Sequence, residues 1–217
     1  MAEEQRNSLS IVIAVDGPAA SGKGTIARAL ASHFGLPHMD TGLLYRAVAL
    51  NLWRWGGDPS SEFEALRACA QIDFGLDDPE LRSEPVSKIA SAISAYPSVR
   101  TALLDRQQEF ANQPGGAVLD GRDIGSVVAP HADVKLFVTA RPEVRAQRRV
   151  RELLERGMSA HYEDVLADIR SRDERDSKRE VAPLKQADDA IVLDTSELDV
   201  EEAKAEALRL VRKKIPA

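Results

Sequence analysis

The chain has 217 residues and a single cysteine, Cys69. No disulfide framework and no thiolate metal cluster can form within it, and a reducing compartment suits it. Aromatic residues make up only 5%, too few for a platform on which single-stranded nucleic acid would stack. There is no basic excess. Lys and Arg number 29 against 35 Asp and Glu, a net charge of -6, which argues against a protein that wraps a long polyanion. Nor is there a long apolar run near the N-terminus: residues 11–15 are far too few to span a bilayer, and residues 1–10 are polar with no export core. These absences lead us to expect a soluble, cytoplasmic protein that engages neither membrane nor long nucleic acid. His33, His38, His131 and His161 are scattered without ligand spacing, so a metal site made of side chains is not expected. No repeat or low-complexity tract occurs, and nothing calls for oligomerisation, so a monomer is expected.

What is present is enough apolar material, 43%, for one core and therefore one domain over residues 1–217. Five short aliphatic stretches bounded by turn residues read as buried parallel strands, at residues 11–15, 36–39, 117–119, 134–138 and 190–193. Amphipathic stretches lie between them. Ile26, Leu30 and Phe34 recur at four-residue spacing, with Gly35 placed to end that helix. Further helices are expected over 43–53, around Leu103 and Phe110, and over 200–214. This alternation predicts a doubly wound α/β fold with a five-stranded parallel sheet, whose ligands bind beyond the carboxyl ends of the strands. Two regions interrupt it. Residues 56–84 are turn-rich, with periodicity only over 63–70. Residues 141–180 concentrate charge, 11 basic against 10 acidic.

The strongest signal follows the first strand: Asp16-Gly17-Pro18-Ala19-Ala20-Ser21-Gly22-Lys23-Gly24-Thr25, directly before an amphipathic helix. Glycines let the backbone curl so that successive N–H groups face phosphate oxygens, and the helix N-terminus adds the positive end of its dipole. Lys23 supplies a mobile charge for the β and γ phosphates, and Thr25 is the candidate hydroxyl for Mg²⁺. The stretch Gly17 to Thr25 is thus a site for a nucleoside triphosphate, which in a kinase is ATP, within a sheet of the P-loop NTPase type. A Gly-Lys-Gly-Thr ending is typical of nucleoside monophosphate kinases. A GTPase switch would carry an Asn-Lys-x-Asp segment, which is absent. A motor ATPase would follow an aliphatic strand with paired acids, whereas Asp120 is followed by Gly121, Arg122 and Asp123. A kinase for a small acceptor fits better, and it needs facing cations to hold two polyanions together.

Later blocks appear in order: Asp40-Thr-Gly-Leu-Leu-Tyr-Arg46, Ala90-Ser91 with Tyr96-Pro-Ser-Val-Arg100, Asp120-Gly-Arg-Asp123-Ile-Gly125, Arg172-Asp-Glu-Arg-Asp176 and Arg179-Glu-Val-Ala-Pro183. With the phosphate loop, this set resembles the bacterial cytidylate kinase family from residue 11 to about 195. The resemblance implies MgATP-dependent phosphorylation of CMP and dCMP to CDP and dCDP, within pyrimidine nucleotide metabolism. It divides the chain into a core of about 10–40, 112–144 and 181–217, a monophosphate-binding part of about 41–111, and a lid of about 145–180. It further implies that Arg46, Arg122 and Arg179 hold the acceptor phosphate and the transferring group, beside Thr41 and Gly121. Ser91, Arg100 and Asp123 would read the base, and Arg172 and Asp176 the ribose. An acid near the base suits cytosine, whose N4 amino group donates where uracil accepts. Lys23, Arg122, Arg172 and Arg179 would be the catalytic cations.

Each block also has a plainer reading. Arg122 and Asp123 could form an ion pair at a strand end, Arg46 could lie on a solvated helix face, and residues 170–179 read by charge alone as a solvated helix. Arg148, Arg149 and Arg151 carry no specific match and are left on the lid surface, where they could touch the nucleotide. Trp53 and Trp55 are expected to cover the core edge, and Cys69 to pack between helices. Many members of the family have a longer insert before Ser91, whereas residues 72–84 leave room for little more than a short hairpin. That implies looser closure on CMP and leaves UMP as an alternative acceptor. The same ATP site would also serve a kinase for a different small acceptor, or an ATP-binding switch protein without catalysis.

Overall fold

The structure is a computed structural model, and it describes residues 10–70 and 78–215. Five strands, β1 (Ile11–Asp16), β2 (His38–Asp40), β3 (Gly116–Gly121), β4 (Val134–Thr139) and β5 (Ile191–Asp194), form one parallel sheet in the order β2-β3-β1-β4-β5. The register aligns their carboxyl ends: Asp40 pairs with Asp120, Asp120 with Val15, and Asp16 with both Gly121 and Phe137. With β1 central and the chain leaving to either side of it, the crevice above β1 is a topological switch point.

Helix α1 (Lys23–Phe34) returns from β1 and ends on Gly35, whose left-handed backbone caps the Ala31 carbonyl. With α8 (Val200–Lys214) it covers one face of the sheet through Ile26, Leu30, Ala207 and Val211 packed on Ile13, Val15, Leu136 and Val138. The second strand is displaced from the expected 36–39. Leu36 donates its N–H to Ala31 and finishes the helix, while Pro37 has no N–H and joins the ladder only by accepting from Val118.

The other side of the molecule carries its own helical core. α2 (Thr41–Trp55), α3 (Glu62–Cys69), α4 (Glu84–Ile93) and α5 (Pro97–Ala111) meet around Leu44, Val48, Leu52, Ile93 and Leu103, with Cys69 packed against them. The turn-rich region before α4 thus contains α3 and a short 3₁₀ turn at Pro79–Arg82. The expected hairpin falls in large part on residues 71–77, which lie outside the described residues. Trp53 and Trp55 do not cover the core. They are 47% and 40% exposed, and the Arg67 guanidinium lies 4.4 Å from the centre of the Trp55 ring.

α6 (Pro142–Glu155) and α7 (Tyr162–Ser177) form a hairpin over the carboxyl edge of the sheet. Its apolar core is small, with Ala146, Leu166 and Ile169 buried and Ala20 of the phosphate loop packed beneath them. Polar contacts therefore carry much of what holds the hairpin to the rest of the fold, among them Arg145 to the Ala19 carbonyl and Arg122 to Asp176. Among the described residues no helix is long and apolar enough to cross a membrane.

Candidate active site

The phosphate loop turns sharply between β1 and α1. At Gly17 (φ +153°) a Cβ would overlap the Val138 carbonyl oxygen of the neighbouring strand, so only glycine allows the loop to lie this close to the sheet. Ala20 has φ +58°, a left-handed conformation that costs a residue with a Cβ roughly 1 kcal/mol or more. Asp16 anchors the loop from below. Its two carboxylate oxygens accept the N–H groups of Ile124 and Gly125, each at 2.8 Å, which clamps the π-helical turn Ile124–Val128 to the end of β1. Burial raises the Asp16 carboxyl to about 6 even though those two bonds oppose the rise.

Above the strand ends lies a cleft of about 1140 Å³, large enough for more than one small-molecule ligand. The stretch Ala19 to Thr25 lines one end of it. Thr41, Arg46, Ser91, Arg100, Gly121, Arg122, Asp123, Arg172, Asp176 and Arg179 line the rest. Of the residues singled out from sequence, Gly17 and Pro18 are not in the lining. They shape the turn, and Pro18 supplies the carbonyl that Lys23 Nζ reaches at 3.4 Å.

Three arginines converge on one carboxylate. Arg122 Nε donates to Asp176 Oδ2 at 2.9 Å, Arg179 Nη2 donates to Oδ1, and Arg172 Nε stands 3.9 Å from Oδ2. Asp176 is only 1% exposed. Burial by itself would raise its carboxyl, but Arg122, Arg179 and Arg172 outweigh that and hold it at about 2. The cations are still in excess. Burial first, then the Arg122 charge, push the Lys23 ammonium down to about 7 and the Arg172 guanidinium down to about 9. Arg172 Nε and Arg179 Nε are buried with no hydrogen-bond partner among the described residues, as is Ser21 Oγ in the phosphate loop. Buried donors left unmatched are costly, and a polyanion between the loop and the arginines is the ligand chemistry that would match them.

Arg46 is turned toward the start of α4, donating to the Leu81 carbonyl at 3.0 Å and to Ser87 Oγ at 3.2 Å. Burial lowers its guanidinium, so it is not on a solvated face. Thr41 gives its hydroxyl hydrogen to the Asp120 carbonyl at 2.8 Å. The carboxylate of Asp123 pairs with Arg100 rather than with its neighbour Arg122. Arg100 also donates to the Ser94 carbonyl at 3.3 Å and lies over the Tyr45 ring at 5.8 Å. Thr25, in the first turn of α1, has its hydroxyl near Arg28 at 3.4 Å. Asp120 faces the same turn, since a Cβ on Gly24 would stand 3.6 Å from Asp120 Oδ2, and its other oxygen meets His38 Nε2 at 2.8 Å.

Several groups in this network were not legible in the sequence. Arg145, 3% exposed, donates to the Ala19 carbonyl at 3.2 Å and the Ala140 carbonyl at 2.8 Å, and grips Asp173 with two nitrogens. It ties the phosphate loop, the end of β4 and α7 together. Arg148 is not simply a surface residue of α6. It donates to the Ser21 and Thr195 carbonyls and to Thr195 Oγ1, beside a part of the cleft lined by Leu198, Val200 and Ala203. Arg175 reaches Ser91 Oγ at 2.6 Å. The Arg-x-x-Arg spacing in the 172–179 run was the available hint for Arg175.

A parallel sheet with this phosphate loop, and a cationic cluster facing the loop across one cleft, define a phosphate-loop phosphotransferase. The family model described as cytidylate kinase matches residues 13–213. A cytidylate kinase of Xanthobacter autotrophicus is 59% identical over 202 residues, covering 93% of this chain and 97% of that one. One of Paramagnetospirillum magneticum is 53% identical over 210 residues, covering 95% and 100%. Among solved structures, a gluconokinase from Sinorhizobium meliloti superposes with a TM-score of 0.50 at 16% identity over 94% of this chain and 93% of that one. An uncharacterized protein from Eubacterium ventriosum gives 0.56 at 15% over 94% and 99%. These two share the fold. The chain belongs to the cytidylate kinase family.

Proposed function

We propose that this protein transfers the γ-phosphoryl group of MgATP to the 5′-phosphate of CMP or dCMP, giving ADP and CDP or dCDP. The observation that carries the reading is the single cleft that joins a phosphate loop to the Arg122–Asp176–Arg179 cluster and to the Ser91, Arg100 and Asp123 group. The relatives' shared name supports it.

In this reading the loop N–H groups and Lys23 hold the donor phosphates, while Arg46, Arg122, Arg172 and Arg179 hold the acceptor phosphate and the group in transfer. Near neutral pH the acceptor oxygen is already anionic, so no general base is needed. Catalysis is then positioning and charge neutralisation of a loose transition state. A carboxylate at Asp123 accepts from the cytosine amino group and would face a lone pair in uracil, a mismatch that leaves a buried acceptor unpaired. Asp176 keeps lone pairs beyond those engaged by arginine and can accept from a sugar hydroxyl. If that hydroxyl is the 3′, both ribo- and deoxyribonucleotides are accepted.

The Thr25 hydroxyl, with the Asp120 carboxylate facing the same turn, fits a magnesium ion that arrives with the nucleotide and keeps most of its waters. Bound there, it would neutralise phosphate oxygens. The α6–α7 hairpin acts as a lid that excludes water and brings Arg172 and Arg179 inward. The 41–111 segment forms the acceptor side. The proposed protein is a monomer, and its single cysteine suits a reducing compartment such as the cytoplasm. The test is a coupled assay of ADP formation with ATP and, separately, CMP, dCMP, UMP, AMP and dTMP. CMP and dCMP should be phosphorylated best, and a preference for UMP would defeat the cytosine assignment.

A further inference from the structure

Polar contacts among the described residues join the α6–α7 hairpin to the acceptor side of the cleft. Arg149 pairs with Glu84, Arg156 donates to the Arg82 carbonyl at 3.3 Å, Lys88 stands 3.8 Å from Asp168, and Arg175 Nη1 donates to Ser91 Oγ at 2.6 Å. The Lys88–Asp168 and Arg156 contacts lie in solvent and contribute little. The Arg175 contact ends differently. Ser91 is 4% exposed and sits one helical turn before Ser94, whose carbonyl accepts from Arg100, the partner of Asp123. A guanidinium from α7 therefore enters the group of side chains that the proposed reaction uses to read the base.

A hydroxyl gives one hydrogen and can accept two, whereas a guanidinium only donates. Arg175 thus takes an acceptor position on Ser91 Oγ, and its charge disfavours a second donor approaching the same oxygen. What Ser91 has left to offer a ligand is its own hydrogen. Beside it, Arg100 offers donors and Asp123 an acceptor. Cytosine presents an amino donor at N4 with acceptors at N3 and O2, while uracil presents an acceptor at O4 and a donor at N3. One acceptor with two donors matches cytosine, and the N3–H of uracil would meet a donor.

The geometry points to Arg175 as a positioning residue for base selection: by holding the Ser91 hydroxyl as a donor, it makes discrimination between cytosine and uracil depend on closure of the α6–α7 hairpin. This rests on the CMP kinase reading above. Arg175 itself is exposed, so its replacement removes no buried packing.

The experiment is steady-state kinetics of the full-length wild type, Arg175→Gln, Arg175→Lys, Ser91→Ala and the Arg175→Gln/Ser91→Ala double variant, with CMP and UMP at saturating ATP. Arg175→Gln should raise the KM for CMP several-fold, leave the KM for ATP unchanged, and shrink the CMP-to-UMP ratio of kcat/KM by about tenfold, the scale of one charged hydrogen bond. Arg175→Lys should restore part of the ratio. The double variant should discriminate no worse than Ser91→Ala, because the two residues act as a unit. A purely structural role would lower both substrates alike. An unchanged ratio, or a lower KM for CMP in Arg175→Gln, overturns the inference while wild-type turnover of CMP leaves the kinase reading standing. A wild type inactive on CMP overturns both.

Discussion

Removing the charge of Asp176 tests whether the arginine cluster is held together in the way its geometry implies. Asp176 is 1% exposed and accepts from Arg122 and Arg179, with Arg172 nearby. Holding its carboxyl at about 2 instead of the ordinary carboxylate range corresponds to roughly 2.5 kcal/mol of stability. Leaving three guanidiniums without their counter-charge pushes the cost toward about 3–5 kcal/mol. Taking about 3 kcal/mol, Asp176→Asn should lower the Tm of the ligand-free protein by roughly 6–12 °C at pH 7. Calorimetry and urea titration would measure it. Because the folded value is depressed, this stabilisation is present above the unfolded carboxyl value near 4 and is lost as pH falls through about 2. The gap between wild type and variant should therefore be full at pH 7 and 5 and begin to close below 4. Added pyrophosphate should stabilise the variant more than the wild type, since it can take the place of the lost carboxylate among the arginines. A gap under about 0.5 kcal/mol at pH 7, or one that pyrophosphate widens, would refute the reasoning.

Arg179→Ala should lower turnover by far more than it weakens ATP binding, as judged by kcat beside a direct ATP titration, because the proposed function sets Arg179 at the transferring group and not at the donor loop. Unchanged turnover would remove Arg179 from the site. Lys23→Met should abolish phosphoryl transfer yet raise the ligand-free Tm by roughly 2–4 °C at pH 6, about 1 kcal/mol of relief after allowing for its partial exposure. The sign follows from its depressed value of about 7: the buried charge costs stability in full below that pH, and the cost fades as pH rises toward the unfolded lysine value. A variant less stable than wild type at pH 6 in a thermal scan would show that burial beside Arg122 does not strain the Lys23 charge.

Much of the sheet could be read because parallel strands buried on both faces are nearly continuous aliphatic runs, as at Val12 to Val15 and Val134 to Val138. β2 could not be bounded in that way. It has three residues, none fully buried, and its limits come from Pro37 and from pairing with β3. The phosphate loop carries its chemistry in local spacing, so Lys23 and Thr25 were visible at once. The arginines of the 172–179 run were separable from a solvated helix only by the ordered match to a family. Arg145, Arg148 and Arg175 were missed for a common reason. Their partners Ala19, Ser21 and Ser91 lie 126, 127 and 84 positions away, and no local pattern encodes which of many arginines will face inward once the hairpin folds over the sheet. Asp16 was read as part of the loop, while the structure uses it as the anchor for Ile124 and Gly125.

The most direct test of the central claim follows a labelled γ-phosphate of ATP in the presence and absence of CMP. With phosphoryl transfer in a closed, water-excluding cleft, the label should appear on the β-phosphate of CDP, one CDP for each ADP, with little ATP consumed when CMP is left out. Label recovered mainly as inorganic phosphate, or transferred to UMP faster than to CMP, would contradict it.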